Sequence, residues 1–290
     1  MSSQGRSYLL GGLRGKIRRL PQGIRWRLKK LSWRIVREPV GFAHAIQGRK
    51  VLHLFHISKT GGTAIGEALR GHERSGEYEI IHHFHDFWLP DVPSADYFAV
   101  VLRDPISRFV SGFHGRHRQD YPRYPGSRWT PDEAIAFARF HSPNELAMAL
   151  SSDDPALREA AAESMRSIQH INSPQRSWLV NERYFRSRAS KCVFIGFQET
   201  LDNDFSLFKR ILNLPPDIEL PRDEVLSHRN PAHLDRRLDE EAIRNLKIWY
   251  REDYALLEVC KEIAAEIRSR YDSSNDVPTD LVSGADVIRR

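Results

Sequence analysis

Apolar side chains along the chain fall into short continuous runs, separated by longer stretches in which they recur at helical spacing. Val51, Leu52, Leu54 and Phe55 form one run, Phe98 to Leu102 a second, and Cys192 to Ile195 a third. Their length and their β-branched and aromatic content are those of strands buried on both faces. The period changes between them. Ala64, Ile65, Ala68 and Leu69 return at helical spacing directly after the first run. Thr130-Pro-Asp-Glu133 and Ser142-Pro-Asn-Glu145 are capping boxes that open helices through Phe140 and Leu150. Ala156 to Ile168 is a further helix, and Leu238 to Ile267 has the spacing of a helix packed on the sheet. Strands interleaved with helices in this way predict an α/β, P-loop-like three-layer fold with a central parallel sheet flanked by helices.

The junction after the first run carries candidate chemistry. Residues 57 to 64 read I-S-K-T-G-G-T-A and join a strand to a helix start. Backbone N–H groups there lack intrahelical partners, and the helix dipole adds partial positive charge, so the site suits an anion. Gly61 and Gly62 let the backbone approach, Lys59 adds a point charge, and Thr60 and Thr63 add hydroxyl donors. A nucleoside-triphosphatase loop places its lysine after the glycines and reserves a hydroxyl for magnesium; here the lysine comes first. The bland reading is an ordinary βα turn with a surface lysine.

A second feature argues against the bland reading. Tyr97 to Ser111 reads Y-F-A-V-V-L-R-D-P-I-S-R-F-V-S, with Arg103 at the carboxyl end of the apolar run, where open α/β sheets bind ligands. Asp104 is a candidate N-cap and Pro105 suits a first helical position. Arg108 and Ser111 would share one helix face, so that an arginine, a serine and the loop lysine converge on a polyanion.

These two segments resemble the sulfotransferases that use 3′-phosphoadenosine 5′-phosphosulfate (PAPS), most closely their carbohydrate branch and its bacterial-type members. Ile57 to Thr63 matches the 5′-phosphosulfate loop of that superfamily, except that Ser58 stands where proline is usual. Arg103, Asp104, Pro105, Arg108 and Ser111 match its 3′-phosphate motif in full. The resemblance spans roughly residues 50 to 260. It implies that Lys59 contacts the bridging oxygen between phosphate and sulfate. It also implies that Thr60, Gly61, Gly62, Thr63 and Ala64 hold the 5′-phosphate, and that Arg103 and Ser111 hold the 3′-phosphate. Ser227 to Pro231 resembles a polar loop closing over the nucleotide, which makes Arg229 a further phosphate contact. PAPS is the expected donor, with no metal. The family usually carries an arginine after the third strand; Phe197 replaces it here.

Sulfuryl transfer to a hydroxyl or amine requires a base. Ile80 to Leu89, I-I-H-H-F-H-D-F-W-L, lies between the two motifs, and the resemblance places the base in that interval, often in an H-x-H pattern. His85 is the first candidate and His83 the second, with His82 at the acceptor; histidine titrates near neutrality. A three-histidine metal site is the competing reading, and simple packing is another. His170, Gln175 and Arg176 are candidate acceptor contacts. So are Arg116, His117 and Arg118, in the Arg- and Tyr-rich stretch from His114 to Trp129.

Composition adds one asymmetry. The net charge of +6 hides residues 1 to 50, where 13 Lys and Arg face one acid, Glu38. Within Leu20 to Val36, Ile24, Leu28, Leu31 and Ile35 share one helical face with cations opposite. That pattern reads equally as a membrane-surface helix or as a solvated helix that lies on the domain or binds an acidic glycan. The expected organisation is a basic amphipathic extension at 1–47, a sulfotransferase domain at 48–272 and a flexible tail at 273–290. No apolar run reaches the roughly 18 residues of a membrane span, and no signal peptide is visible. Two cysteines in apolar patterns, Cys192 and Cys260, suit a reducing compartment. The expected setting is cytoplasmic, with peripheral membrane contact through residues 20–36. The expected acceptor is a carbohydrate or small molecule, and nucleic acid is not an expected partner. The competing functions are a kinase-like phosphotransferase and a non-catalytic binder of membranes or polyanions.

Overall fold

A computed structural model describes residues 48–122, 124, 126–223, 231 and 234–273. The basic segment at 20–36, Arg229 and the tail from 274 onward lie outside the described residues. The chain divides into two units, Met1–Val51 and Leu52–Arg290. Of the first, only Gly48–Val51 are described.

Five strands form one sheet in the order β2-β3-β1-β4-β5. They are β1 (Lys50–Leu54), β2 (Arg74–Ser75), β3 (Tyr78–His82), β4 (Tyr97–Leu102) and β5 (Cys192–Phe197). The three strands expected from their apolar runs are β1, β4 and β5, and they are the parallel ones: Leu52 pairs with Tyr97, and Ala99 with Phe194. β4 lies between the other two and is buried from Phe98 to Leu102, as a continuous apolar run requires. β2 and β3 form an antiparallel hairpin at the far edge. The sheet is thus mixed but mostly parallel, with helices around it, as expected.

α1 (Gly62–Ala68) follows β1 and α2 (Pro105–His117) follows β4. α3 (Pro131–Arg139), α4 (Pro143–Ala149) and α5 (Pro155–Ser167) come next. Thr130 and Glu133 complete a capping box at α3. At α4, Ser142 caps Glu145 N, but the Glu145 carboxylate accepts from His141 N instead of closing the box. Phe113, Phe137, Phe140, Leu146, Met165 and Leu246 pack α2 to α5 into a helical layer with its own core.

Two short helices, α6 (Arg176–Leu179) and α7 (Glu182–Arg188), lead to β5, and α8 (Leu201–Leu212) follows it. The pattern from Leu238 to Ile267 resolves into two helices that break at Tyr250, α9 (Glu240–Trp249) and α10 (Arg251–Ser273). Only α10 packs on β5; α9 packs on α4, because Ala242 and Leu246 belong to the helical layer. Among the described residues no helix is long and apolar enough to cross a membrane.

Candidate active site

The loop from β1 to α1 is held in an unusual backbone shape. Lys59 has φ of 67° and Gly61 φ of 96°. A left-handed non-glycine residue costs on the order of 1 kcal/mol or more, and such strain concentrates at functional sites. α1 has only seven residues, so its dipole is small and the local N–H groups and side chains carry most of any attraction for an anion. Thr60 is turned inward: its hydroxyl donates to the Ile57 carbonyl at 3.0 Å, which removes the expected hydroxyl contact to a ligand. Gly61, Gly62, Thr63 and Ala64 line the adjoining cavity.

Arg108 corrects a second expectation. It is 1% exposed and does not reach the cavity. Its Nε donates to the Ser58 carbonyl and its Nη2 to Ser58 Oγ, both at 2.9 Å, and Nη2 also donates to Ser173 O at 2.9 Å. Arg108 therefore braces the loop from beneath. Ser58 supplies a side-chain acceptor to this buried guanidinium that a proline at the same position lacks.

Arg103 is where the two motifs join. Its Nη1 donates to the Lys59 carbonyl at 3.2 Å and its Nε to Ser107 Oγ at 2.8 Å. Its own backbone is clamped by Gln175, whose Oε1 accepts from Arg103 N and whose Nε2 donates to Arg103 O. Gln175 is consequently a buried brace and not the expected acceptor contact. Arg176 pairs with Glu252 at 2.8 Å and faces a separate recess of about 590 Å³, away from the loop. Desolvation lowers the Arg103 guanidinium to about 10, still charged at neutrality. Asp104 caps α2 as expected, accepting from Ser107 N at 2.7 Å.

The Lys59 ammonium nitrogen is buried and makes no hydrogen bond among the described residues. Desolvation pulls it down to about 8, against the pull of Asp120 and with that of Arg118, Arg103 and Arg108. Beside it lies a cavity of about 1400 Å³ lined by the loop, Arg103, Ser111, His85, Asp120, His170 and Tyr254. That exceeds the roughly 300–1,000 Å³ of ordinary small-ligand sites and leaves room for two reactants.

The three histidines diverge. β3 ends at His82, so the strand alternation that would place His83 and His85 on one face does not continue. His85 lines the cavity. Its Nδ1 lies 2.7 Å from the His56 carbonyl, which only accepts, so Nδ1 carries the proton and the neutral ring keeps its lone pair on Nε2. Desolvation holds its titration below 6.5. His83 is 6% exposed, stacked on Phe87 and bonded to His53 at 2.8 Å, with His53 reaching Asp96 at 3.0 Å. His82 stacks on His56 over the bare backbone of Gly66. The structure thus takes His83 out of the expected catalytic role and His82 off the acceptor, and it does not gather the three rings around a metal.

Arg116, expected at the acceptor, is 0% exposed. Its guanidinium donates to both oxygens of Glu133 at 2.8 Å and to Asp120 at 2.7 Å, an internal ion-pair cluster. His117 packs against Phe113, Phe137 and Trp129, and Arg118 donates to the His114 and Tyr121 carbonyls. His170 does line the cavity; desolvation lowers it to about 4, so the ring is neutral at pH 7. The exposed rings of Phe84 and Tyr124 also line it.

Sequence reasoning missed Asp120, Glu199 and Tyr254. Glu199 accepts from Asp104 N and Tyr254 donates to Asp104 Oδ2, fixing the start of α2. Phe197, in place of the family's arginine, has its N–H held by Asp204.

A mostly parallel sheet thus sets a strained loop and a clamped arginine at its carboxyl edge, where open α/β folds bind their ligands. The model of the Sulfotransferase family matches residues 44–258, and the chain belongs to that family. It is therefore a transferase of the kind that moves sulfuryl groups. Comparison with curated proteins returned no match.

Proposed function

We propose that this chain transfers a sulfuryl group from PAPS to a hydroxyl, rather than an amine, of a carbohydrate or small metabolite. The observation that carries the reading is the buried Lys59 ammonium, without a hydrogen-bond partner among the described residues, beside a cavity that Arg103 also lines. A buried charge without a partner costs several kcal/mol, which an arriving anion offsets. Arg103 supports the reading too. Its Nε and Nη1 are used within the protein, while Nη2 makes no hydrogen bond among the described residues and suits one edge of a phosphate.

In this mechanism Lys59 stabilises charge on the bridging oxygen as the sulfur–oxygen bond breaks. His85 Nε2 takes the acceptor proton as the new oxygen–sulfur bond forms. Arg103 and Ser111 hold the 3′-phosphate, and Gly61, Gly62, Thr63 and Ala64 the 5′-phosphate. On the same reading, residues 48–272 are the catalytic domain of a cytoplasmic protein, with residues 20–36 serving either a membrane surface or an acidic glycan.

Transfer of label from PAPS to a panel of glycans, small alcohols and amines tests the proposal. PAPS-dependent labelling of a hydroxyl compound is expected. Turnover with ATP and magnesium but none with PAPS would select a kinase instead.

A further inference from the structure

Gly115 lies near the end of α2, and a Cβ at that position would meet Lys59 Nζ at 2.6 Å and Asp120 Oδ1 at 3.2 Å. The ammonium and the carboxylate therefore border the same bare patch of helix without a hydrogen bond between them, close enough for their charges to act on each other. Asp120 is fixed there by its own backbone, with φ of 56° and its N–H donating to the Gly115 carbonyl at 2.8 Å.

The charges around the pair decide what Asp120 does. Its Oδ2 accepts from Arg116 at 2.7 Å, but Arg116 already holds both oxygens of Glu133. His170 Nε2 stands 3.7 Å from Oδ1, yet this ring is neutral at pH 7, and it faces His85 on its other side. Asp120 is thus shared among Arg116, His170, Arg118 and Lys59, and its negative charge acts on Lys59 to keep the proton there. Arg103, Arg108 and Arg118 all act on Lys59 in the opposite sense and favour loss of its proton.

We propose that Asp120 is a positioning residue that, over the bare backbone of Gly115, holds Lys59 as an ammonium ion beside the cavity before a donor binds. The proposal rests on the role assigned to Lys59 above. It gives Gly115 a function too, since any side chain there would displace the lysine head.

Competitive labelling with acetic anhydride across a pH series, followed by mass spectrometry of the Lys59 peptide, reads the protonation of this amine directly. Asp120→Asn should move the labelling midpoint to lower pH by roughly one unit or more, the effect of removing an opposite charge at close range. An unmoved midpoint in a folded Asp120→Asn protein overturns the proposal. Should Asp120→Asn fail to fold, Gly115→Ala decides: at least a tenfold fall in kcat with retained affinity for 3′-phosphoadenosine 5′-phosphate is expected, and unchanged kcat overturns it. Labelling needs no donor, so a parent protein that fails to bind 3′-phosphoadenosine 5′-phosphate would sink the donor assignment while leaving the midpoint comparison interpretable.

Discussion

The side chain of Arg103 donates to the backbone carbonyl of Lys59 at 3.2 Å, across 44 residues of sequence. One hydrogen bond thus joins the end of β4 to the loop after β1, the two places where the chain carries an anion motif. The lysine carbonyl meets Arg103 from a residue with left-handed backbone, and Gln175 clamps the Arg103 peptide on both its N–H and its carbonyl. The strained loop and the buried clamp are parts of one device.

Removing the Lys59 head tests its part in the chemistry. Lys59→Ala should lower kcat by roughly 10²–10³, the usual loss for one donor aimed at developing charge, with a smaller change in donor affinity. Unchanged kcat would remove its assigned role.

The pH profile of kcat/KM should be bell-shaped. Lys59 acts as an ammonium, so activity declines as pH rises through about 8. His85 acts unprotonated and its titration lies below 6.5, so activity is lost only as pH falls beneath that value. Lys59→Arg should move the alkaline limb upward; a limb that stays in place would assign it to another group.

Histidine substitutions separate chemistry from packing. His85→Ala should abolish acceptor-dependent turnover while leaving donor binding intact. His83→Ala should instead cost about 1–3 kcal/mol of stability, because it strips a partner from buried His53, with turnover per folded molecule retained. Thermal unfolding alongside single-turnover assays distinguishes the two; the reverse pattern would move the base to His83.

Arg116 should behave as a structural residue. Arg116→Met leaves Glu133 and Asp120 buried without their cation and should destabilise the fold by about 3–5 kcal/mol. Denaturant midpoints check this. A stable variant with a raised acceptor KM would return Arg116 to the acceptor site.

The legible parts of this molecule were those written locally. Continuous apolar runs marked β1, β4 and β5, and the Asp104-Pro105 and Thr130-Pro-Asp-Glu133 signals marked the starts of α2 and α3. The hairpin of β2 and β3 was not legible, because β2 is two residues long and Tyr78 to His82 mixes apolar and polar positions without a clean alternation. Within the site, Lys59 and Arg103 were visible as motif residues. Arg108 and Arg116 looked like ligand contacts because residue type does not reveal burial. Asp120 was invisible, since beyond its near neighbour Arg116 its meaning comes from Lys59 and His170, both distant in sequence.

Calorimetric titration of the parent and of Arg103→Ala with 3′-phosphoadenosine 5′-phosphate and with adenosine 5′-phosphate tests the shared donor site most directly. Loss of one charge-assisted contact of about 1.5–3 kcal/mol should weaken the bisphosphate roughly ten- to a hundredfold, leaving the monophosphate nearly unaffected. Equal losses for the two nucleotides, or no binding of either to the parent, would contradict the assignment of Arg103 and Lys59 to one doubly phosphorylated ligand.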